Sequence, residues 1–354
     1  MQGGQIRLNK VTGEWVIYAP SRRKRPQDFL QNSWEEESLA SRKQECPFCN
    51  PNQHKLEAIM LQMPNKQQNG WQTRVVANKF PALTPDENTQ RSQEGIYLVM
   101  PGYGRHEIII ESPDHNQELA TMSIGAVEIV IETYHKRYID LMQAHENMMA
   151  IIFRNHGVRA GASLRHPHSQ IIVTGMVPRH VRWQEEIAQH YFDDWGRCVY
   201  CDILNFEMHN RRRVVAENSY FLAFVPFAAE VPFEIWIMPK QHQADFGSIS
   251  EQEKPYFALI LKHTLTKLYK RLNGPDYNYV INTAARYKAE EPQVHWYCQI
   301  QPRLTTSAGF EMGSGISINP SLPEADADFL NASVEEGESL INGDFLLAEK
   351  KMIN

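Results

Sequence analysis

The chain has no apolar run that approaches the roughly 20 residues a membrane-spanning helix needs, which argues against a helical membrane protein. It has no long basic run either, and its formal net charge is −6, so nucleic acid is not an expected partner. The triplet Arg211-Arg212-Arg213 reads as a solvated or phosphate-facing turn. The N-terminus, Met1-Gln2-Gly3-Gly4-Gln5, lacks the apolar core of a secretory signal, which points to a soluble, cytoplasmic protein. Cysteine is scarce, with five in 354 residues, and that setting disfavours a disulfide framework.

The few cysteines are patterned. Four of them form two Cys-x-x-Cys pairs, Cys46-Pro47-Phe48-Cys49 and Cys198-Val199-Tyr200-Cys201. A redox dithiol is expected to open a helix after a strand, and the sequence gives neither pair that setting. Metal ligation is the better reading, provided histidines complete each set.

Residues 6–19 alternate as a hairpin around Thr12-Gly13-Glu14. A basic loop, Arg22-Arg23-Lys24-Arg25, precedes Pro26. It is either solvated or an anion clamp, since guanidinium groups match phosphate oxygens. Residues 30–45 permit a helix, and residues 51–72 read as loop. Strands are expected from Arg74, from His106 and from Met149, the second ending in a turn that carries His115. Ile124, Val127, Ile131, Tyr134, Tyr138 and Leu141 predict a helix within residues 118–143. A glycine-containing loop, residues 157–163, then feeds Arg165-His166-Pro167-His168-Ser169-Gln170 and a β-branched run. In an extended chain His166, His168 and Gln170 share one face.

After residue 175 the order recurs. Cys198 and Cys201 are followed by Arg213-Val214-Val215-Ala216-Glu217-Asn218, an echo of Arg74 to Asn78. A strand from Phe233 again ends near a histidine, His242. A helix is expected over residues 255–272, and His295-Trp296-Tyr297-Cys298-Gln299 echoes the double-histidine stretch. His242 stands 127 residues after His115, Asn282 stands 127 after Asn155, and His295 stands 129 after His166. Such agreement predicts a duplicated α+β unit rather than a solenoid. The halves would be residues 1–178 and 179–322, with residues 323–354 as an acidic, helical tail.

Each half supplies two cysteines and two histidines: Cys46, Cys49, His115 and His166, then Cys198, Cys201, His242 and His295. Both sets suit tetrahedral zinc with closed coordination, so two structural ions per chain are expected. Closed sites of this kind contribute roughly 10–16 kcal/mol, apparent, in small zinc modules. Aligning the halves leaves His168 over, because its counterpart is Tyr297 while Gln170 matches Gln299. A metal-free histidine beside a glutamine donor is a candidate nucleophile toward phosphorus. Gln170, Asn155 and the loop with Gly161 and Ser163 would supply donors as charge develops.

These residues resemble the histidine-triad superfamily and, within it, the galactose-1-phosphate uridylyltransferase family. His166-Pro167-His168-Ser169-Gln170 looks like that family's His-Pro-His-x-Gln motif. Arg22 and Arg25 resemble its N-terminal arginines. Asn78 and Phe80 fall in its nucleotide-contacting segment, and Ser112-Pro113-Asp114-His115 in the segment bearing the third zinc ligand. Phe310-Glu311-Met312-Gly313 resembles its late hexose-binding segment. The resemblance implies two tandem histidine-triad-like repeats, each an antiparallel sheet with a packed helix, paired as a homodimer. It implies ping-pong transfer through a nucleotidyl-His168 intermediate, with a nucleotide-sugar as donor and hexose 1-phosphate or inorganic phosphate as acceptor. Ser169 departs from the Gly or Cys of the well-known bacterial members, as does a second half with a full Cys₂His₂ set. The first expectation is a UDP-glucose–hexose-1-phosphate uridylyltransferase, and since His295-Trp296-Tyr297 and Gly309 to Gly313 resemble a plant branch that acts as ADP-glucose phosphorylase, adenylyl transfer is the alternative. A non-catalytic nucleotide-sugar sensor is the alternative of another class, since the second half lacks the free histidine.

Overall fold

The computed structural model describes residues 4–22, 45–65 and 70–332. The first half runs β1 (Gln5–Leu8), β2 (Trp15–Tyr18), β3 (Ile59–Pro64), β4 (Trp71–Ala77), a small hairpin β5 (Ser92–Glu94) and β6 (Tyr97–Val99), then β7 (Gly104–Ile110). Helix α1 (Ile124–Met142) follows, then β8 (Met149–His156) and β9 (His168–Thr174). The second half opens with α2 (Arg179–Trp195) and α3 (Val199–Asn210), and continues through β10 (Val214–Glu217), β11 (Phe221–Phe224) and β12 (Ile235–Pro239). Helix α4 (Glu253–Arg271), β13 (Tyr277–Asn282) and β14 (Tyr297–Pro302) complete the repeat. Helix α5 (Gly309–Ser314), β15 (Ser317–Asn319) and α6 (Pro323–Asn331) close the described chain.

The expected α+β duplication is present, with one refinement. The two sheets are one sheet of ten antiparallel strands, ordered β3-β4-β7-β9-β8-β13-β14-β12-β11-β10. The order reads alike outward from the centre, so the halves are related by a pseudo-two-fold axis between β8 and β13. Along β9 the side chains alternate as a pleat requires. Ser169, Ile171 and Val173 are fully buried on one face, and Gln170 and Ile172 are half-buried on the other.

One core lies under that sheet. Helix α1 starts where Ser123 accepts the Ala126 amide (3.3 Å), and the residues before it form turns. Its stripe of Val127, Val130, Ile131, Tyr134, Tyr138 and Leu141 packs with Phe257, Leu261 and Leu265 of α4 against strands of both halves. The opposite face is treated unequally. Over the second half, α2 and α3 bury Ala188, Val199, Tyr200 and Leu204 against Phe224, Trp236, Met238 and Tyr297. No helix among the described residues is long and apolar enough to cross a membrane.

Four sequence expectations need correction or limits. Residues 51–72 are not all loop, because β3 and the start of β4 lie there. β3 is an edge strand with mostly exposed side chains, so it lacks the apolar contrast that marks a strand in sequence. The echo of Arg74–Asn78 in Arg213–Asn218 is out of register with the fold. β4 is second from its edge and corresponds to β11, whereas Arg213–Asn218 forms the edge strand β10. Both strands of a hairpin can carry Val-Val-Ala, so composition alone could not choose between them. The second cysteine pair does open a helix, with Cys198 at the N-cap of α3. That helix follows α2 rather than a strand, so the redox setting is still not met. Arg25, the helix-permissive stretch before Glu45 and the tail after Ala332 lie outside the described residues.

The acidic helix α6 has a visible job. Glu324 binds Arg7 of β1 through both carboxylate oxygens (3.0 and 3.1 Å) and Arg213 through one (2.7 Å). It thereby ties the N-terminal hairpin to the flank of the second half, where β15 joins β2 in parallel.

Candidate active site and metal clusters

The loop after β7 and the segment before β9 bring His115 and His166 to Cys46 and Cys49. In this cluster Cys49 Sγ lies 3.4 Å from His115 Nδ1 and 3.6 Å from His166 Nδ1, and Cys46 Sγ lies 3.7 Å from His166 Nδ1. In the second cluster Cys201 Sγ lies 3.3 Å from His242 Nδ1 and 3.5 Å from His295 Nδ1. Tetrahedral zinc with ordinary Zn–S and Zn–N lengths has an S···N edge of about 3.6 Å, so both donor sets fit such an ion. The outward nitrogens are fixed as well. His166 Nε2 donates to the Ser112 carbonyl (2.8 Å) and His295 Nε2 to the Pro239 carbonyl (3.1 Å), which leaves each Nδ1 as the acceptor that can ligate. Burial pushes the His166 imidazole down to about 4, so it is neutral at pH 7, as a ligand must be.

His168 opens β9 just beyond the first cluster and takes no part in it. Its Nδ1–H donates to the carbonyl of His166 (2.7 Å), so the lone pair sits on Nε2. Burial lowers its affinity for a proton, against the opposing pull of that hydrogen bond, and favours neutral imidazole. The ring stands edge-on to Phe48, 5.5 Å between centroids. It lines a cavity of about 340 Å³ with Leu56, Val76, Asn78, Phe80, Ile108, Ser163 and Gln170.

Gln170 is oriented by His106, a residue that sequence reasoning left unassigned. The Ala82 amide donates to His106 Nδ1 (3.2 Å), so Nε2 carries the proton and donates to Gln170 Oε1 (2.7 Å). The Gln170 amide nitrogen is then the group turned over to a ligand. Alternation along β7 from Ile108 back to His106 was the available signal, since both sit on the cavity face.

The second half shows the same framework closed. Tyr297 replaces His168 and packs 4.6 Å from Trp236 and 5.9 Å from Tyr200. Gln299 donates its amide to buried Glu234 (2.8 Å), and the remaining cavity is about 20 Å³.

Behind His168, on the core side of the sheet, Ser169 enters a buried polar network. Glu111 Oε1 accepts from Ser169 Oγ (2.5 Å) and Tyr134 (2.8 Å), and Oε2 accepts from Arg154 (2.8 Å). Tyr134 also meets Tyr279 of the second half (2.6 Å). The Glu111 amide donates to the Pro167 carbonyl (3.0 Å), so one residue holds the double-histidine segment by backbone and side chain together.

The glycine loop is mostly spent on its own closure. The amides of Ala160, Gly161 and Ala162 bond within the loop, and the Arg159 amide donates to Asp276 of the second half (2.7 Å). Gly157 permits that approach. It has φ +89°, and a Cβ there would lie 1.8 Å from Asp276 Oδ1. Ser163 is the loop residue that lines the cavity. Asn155 lies on β8, outside the cavity's lining residues, with its Oδ1 accepting from Asn278 (2.7 Å). Arg22, Phe310, Glu311 and Gly313 are set apart from this cavity, with the small sheet β1-β2-β15 on the flank of the second half. There Glu311 accepts from the amides of Ala308 (2.8 Å) and Ile318 (3.2 Å), a local capping role.

Fold and site together define a duplicated α+β protein with an open cavity at His168 and a filled counterpart at Tyr297. Residues 2–178 match the family model described as galactose-1-phosphate uridyl transferase, N-terminal domain, and residues 184–316 match its C-terminal domain. The chain belongs to that family. It is 35% identical over 328 residues to an ADP-glucose phosphorylase from Arabidopsis thaliana, covering 91% of each chain. It is 29% identical over 330 residues to a galactose-1-phosphate uridylyltransferase from Thermotoga maritima, covering 90% of this chain and 95% of the relative. A crystal structure of an ADP-glucose phosphorylase from Arabidopsis thaliana with bound ADP-glucose superposes with a TM-score of 0.80 at 31% identity, over 94% of this chain and all of that one.

The buried ion pair makes a stability prediction. Arg154→Met strands the Glu111 carboxylate and is expected to cost about 3–5 kcal/mol in urea unfolding. Combining it with Glu111→Leu should cost less than the two single changes summed. An additive pair would show that the network is not coupled.

Proposed function

We propose that the chain transfers a nucleotidyl group between sugar phosphates through a covalent adduct on His168. Its class, a nucleotidyltransferase acting on sugar phosphates, follows from the family. The observation that carries the residue assignment is the His168 Nδ1–H held on the His166 carbonyl, which leaves the lone pair on Nε2 of a ring that lines the cavity. The Nε2 lone pair attacks the α-phosphorus of a nucleotide-sugar. The P–O bond to the hexose 1-phosphate breaks, and its electron pair leaves on that oxygen. Nδ1 keeps its proton throughout, so the ring's positive charge in the adduct faces a carbonyl oxygen. An oxygen of the acceptor phosphate then attacks phosphorus and returns the electrons of the P–N bond to Nε2. Gln170 and Ser163 are the donors for the non-bridging oxygens. Leu56, Val76, Asn78, Phe80 and Ile108 hold the nucleoside.

Greater identity to the ADP-glucose phosphorylase favours adenylyl transfer as the first reading. Uridylyl transfer is the second, supported by the relatives named for it. Two zinc ions per chain are proposed for the two clusters, with structural roles. Bound there, zinc would cross-link the loops that carry His166 and so fix the start of β9. A homodimer is also proposed. Its support is the exposed apolar hairpin β5–β6, where Ile96 is 92% and Leu98 61% exposed.

Intact mass after incubation with ADP-glucose or UDP-glucose, taken separately, tests the chemistry and the base. One nucleotidyl adduct is expected, stronger with ADP-glucose and discharged by inorganic phosphate. His168→Gly should form none while still binding the nucleotide-sugar. Unchanged turnover in that variant would leave a sensor or a different nucleophile. Metal analysis should return two zinc ions per chain for the wild type and one for Cys201→Ser. A value near one in the wild type removes the second site. Light scattering should give twice the chain mass, and Ile96→Glu with Leu98→Glu should lower it toward the monomer. A monomeric wild type ends the dimer proposal.

A further inference from the structure

The cavity at His168 has a nucleoside side, toward β7 and β4, but the departing or attacking phosphate also needs a place. The cavity's own cations, Lys55 and Lys79, stand next to Leu56 and Asn78 on that nucleoside side, and Arg22 lies with the small flanking sheet. A different cation is available from the second half.

The strand register sets out a polar row beside His168. Phe153 pairs with Gln170 across β8 and β9, so Asn155 and His168, two residues further on, occupy the same face of neighbouring strands. Asn155 in turn pairs with Asn278 across the central seam. Strands stand about 4.8 Å apart, so the row leaves His168 in steps of that size. Asn278 Nδ2 bridges Asn155 Oδ1 (2.7 Å) and the Ala160 carbonyl of the glycine loop (2.9 Å). Its Oδ1 accepts from the Nε of Arg303, just beyond the end of β14. The Arg303 amide donates to the Asp276 carbonyl (2.7 Å), which anchors the backbone at the same spot.

Arg303 is therefore held at its base and by Nε, yet it is solvent-exposed and its terminal guanidinium nitrogens carry no hydrogen bond or ion pair among the described residues. The Asn155 amide nitrogen is likewise without a partner among them. An arginine fixed by one nitrogen, presenting two more beside a free amide, is matched in geometry to a tetrahedral dianion. We infer that Arg303, positioned by Asn278 and working with Asn155, binds the phosphate group of the leaving and accepting substrate. The ligand class is a phosphate monoester or free phosphate, and the guanidinium grips the phosphate rather than the sugar. The inference rests on the nucleotidyl-His168 reading above, and it adds that the second half, though its own cavity is filled, completes the first half's site.

The test isolates the second half-reaction. The adduct is formed on wild type, Arg303→Gln and Arg303→Lys, freed of donor by gel filtration, and discharged by increasing hexose 1-phosphate or inorganic phosphate in separate arms. For Arg303→Gln the half-saturating concentration should rise about tenfold, the effect of losing one charge-assisted contact. The rise should be equal in both arms, because both share the phosphate. Slow hydrolysis of the adduct by water should be unchanged, showing that His168 is undisturbed. Arg303→Lys should recover part of the loss. Half-saturation within twofold of wild type in either arm overturns the inference and leaves the His168 reading standing. A rise confined to the sugar phosphate arm overturns it too, because the residue would then read the sugar. If the wild type forms no adduct with any nucleotide-sugar, the reading beneath fails, and this inference falls with it. Arg303 is exposed, so its variants should fold normally.

Discussion

The antiparallel pairing of β8 with β13 is the constraint on which the rest depends. It turns two five-stranded repeats into one ten-stranded sheet and lets α1 and α4 share a single apolar core. It carries Tyr279 to Tyr134 and so closes the network behind Ser169. It also carries Asn278 and Asp276 to the first half's glycine loop. An isolated first half would keep its cysteines and histidines but lose every one of those supports.

The two copies differ in how the face that carries His168 or Tyr297 is covered. A strand that presents an imidazole to a cavity needs an open face, which leaves apolar neighbours uncovered. Over the second half α2 and α3 cover that face, and Tyr297, Tyr200 and Trp236 fill what would be the cavity. Gln299 finds Glu234 where Gln170 keeps its amide nitrogen for a ligand. Both Cys₂His₂ clusters persist, each with its four donor atoms within 4.8 Å of one another.

Much of this was legible from sequence. Helical spacing marked α1 and α4, and two cysteines with two histidines per half marked clusters whose atoms do converge. The mismatch of His168 with Tyr297 separated a cavity residue from a histidine of the Cys₂His₂ cluster, because offsets preserve position through a duplication. What stayed hidden depends on pairing between distant strands. Asn278 and Arg303 carry no local signature, and only the seam explains their place. β3 was missed because an edge strand wets both faces. The Val-Val-Ala echo misled because hairpin strands resemble each other whichever way they are stacked. His106 was within reach, being two residues before Ile108 on a strand already recognised.

The seam has a further consequence during synthesis. β8 ends at His156, and its partner β13 begins at Tyr277. At ordinary elongation rates of about 5–20 residues per second, roughly 6–24 s separate the emergence of the two strands. For that interval the nascent first half has its histidines and cysteines but an unpaired, apolar edge at β8, open to any other strand that passes. Loops clasped early by metal would hold this intermediate in native register while it waits. On a polysome, where identical first halves crowd together, the chain's most exposed moment precedes the translation of its own seam partner.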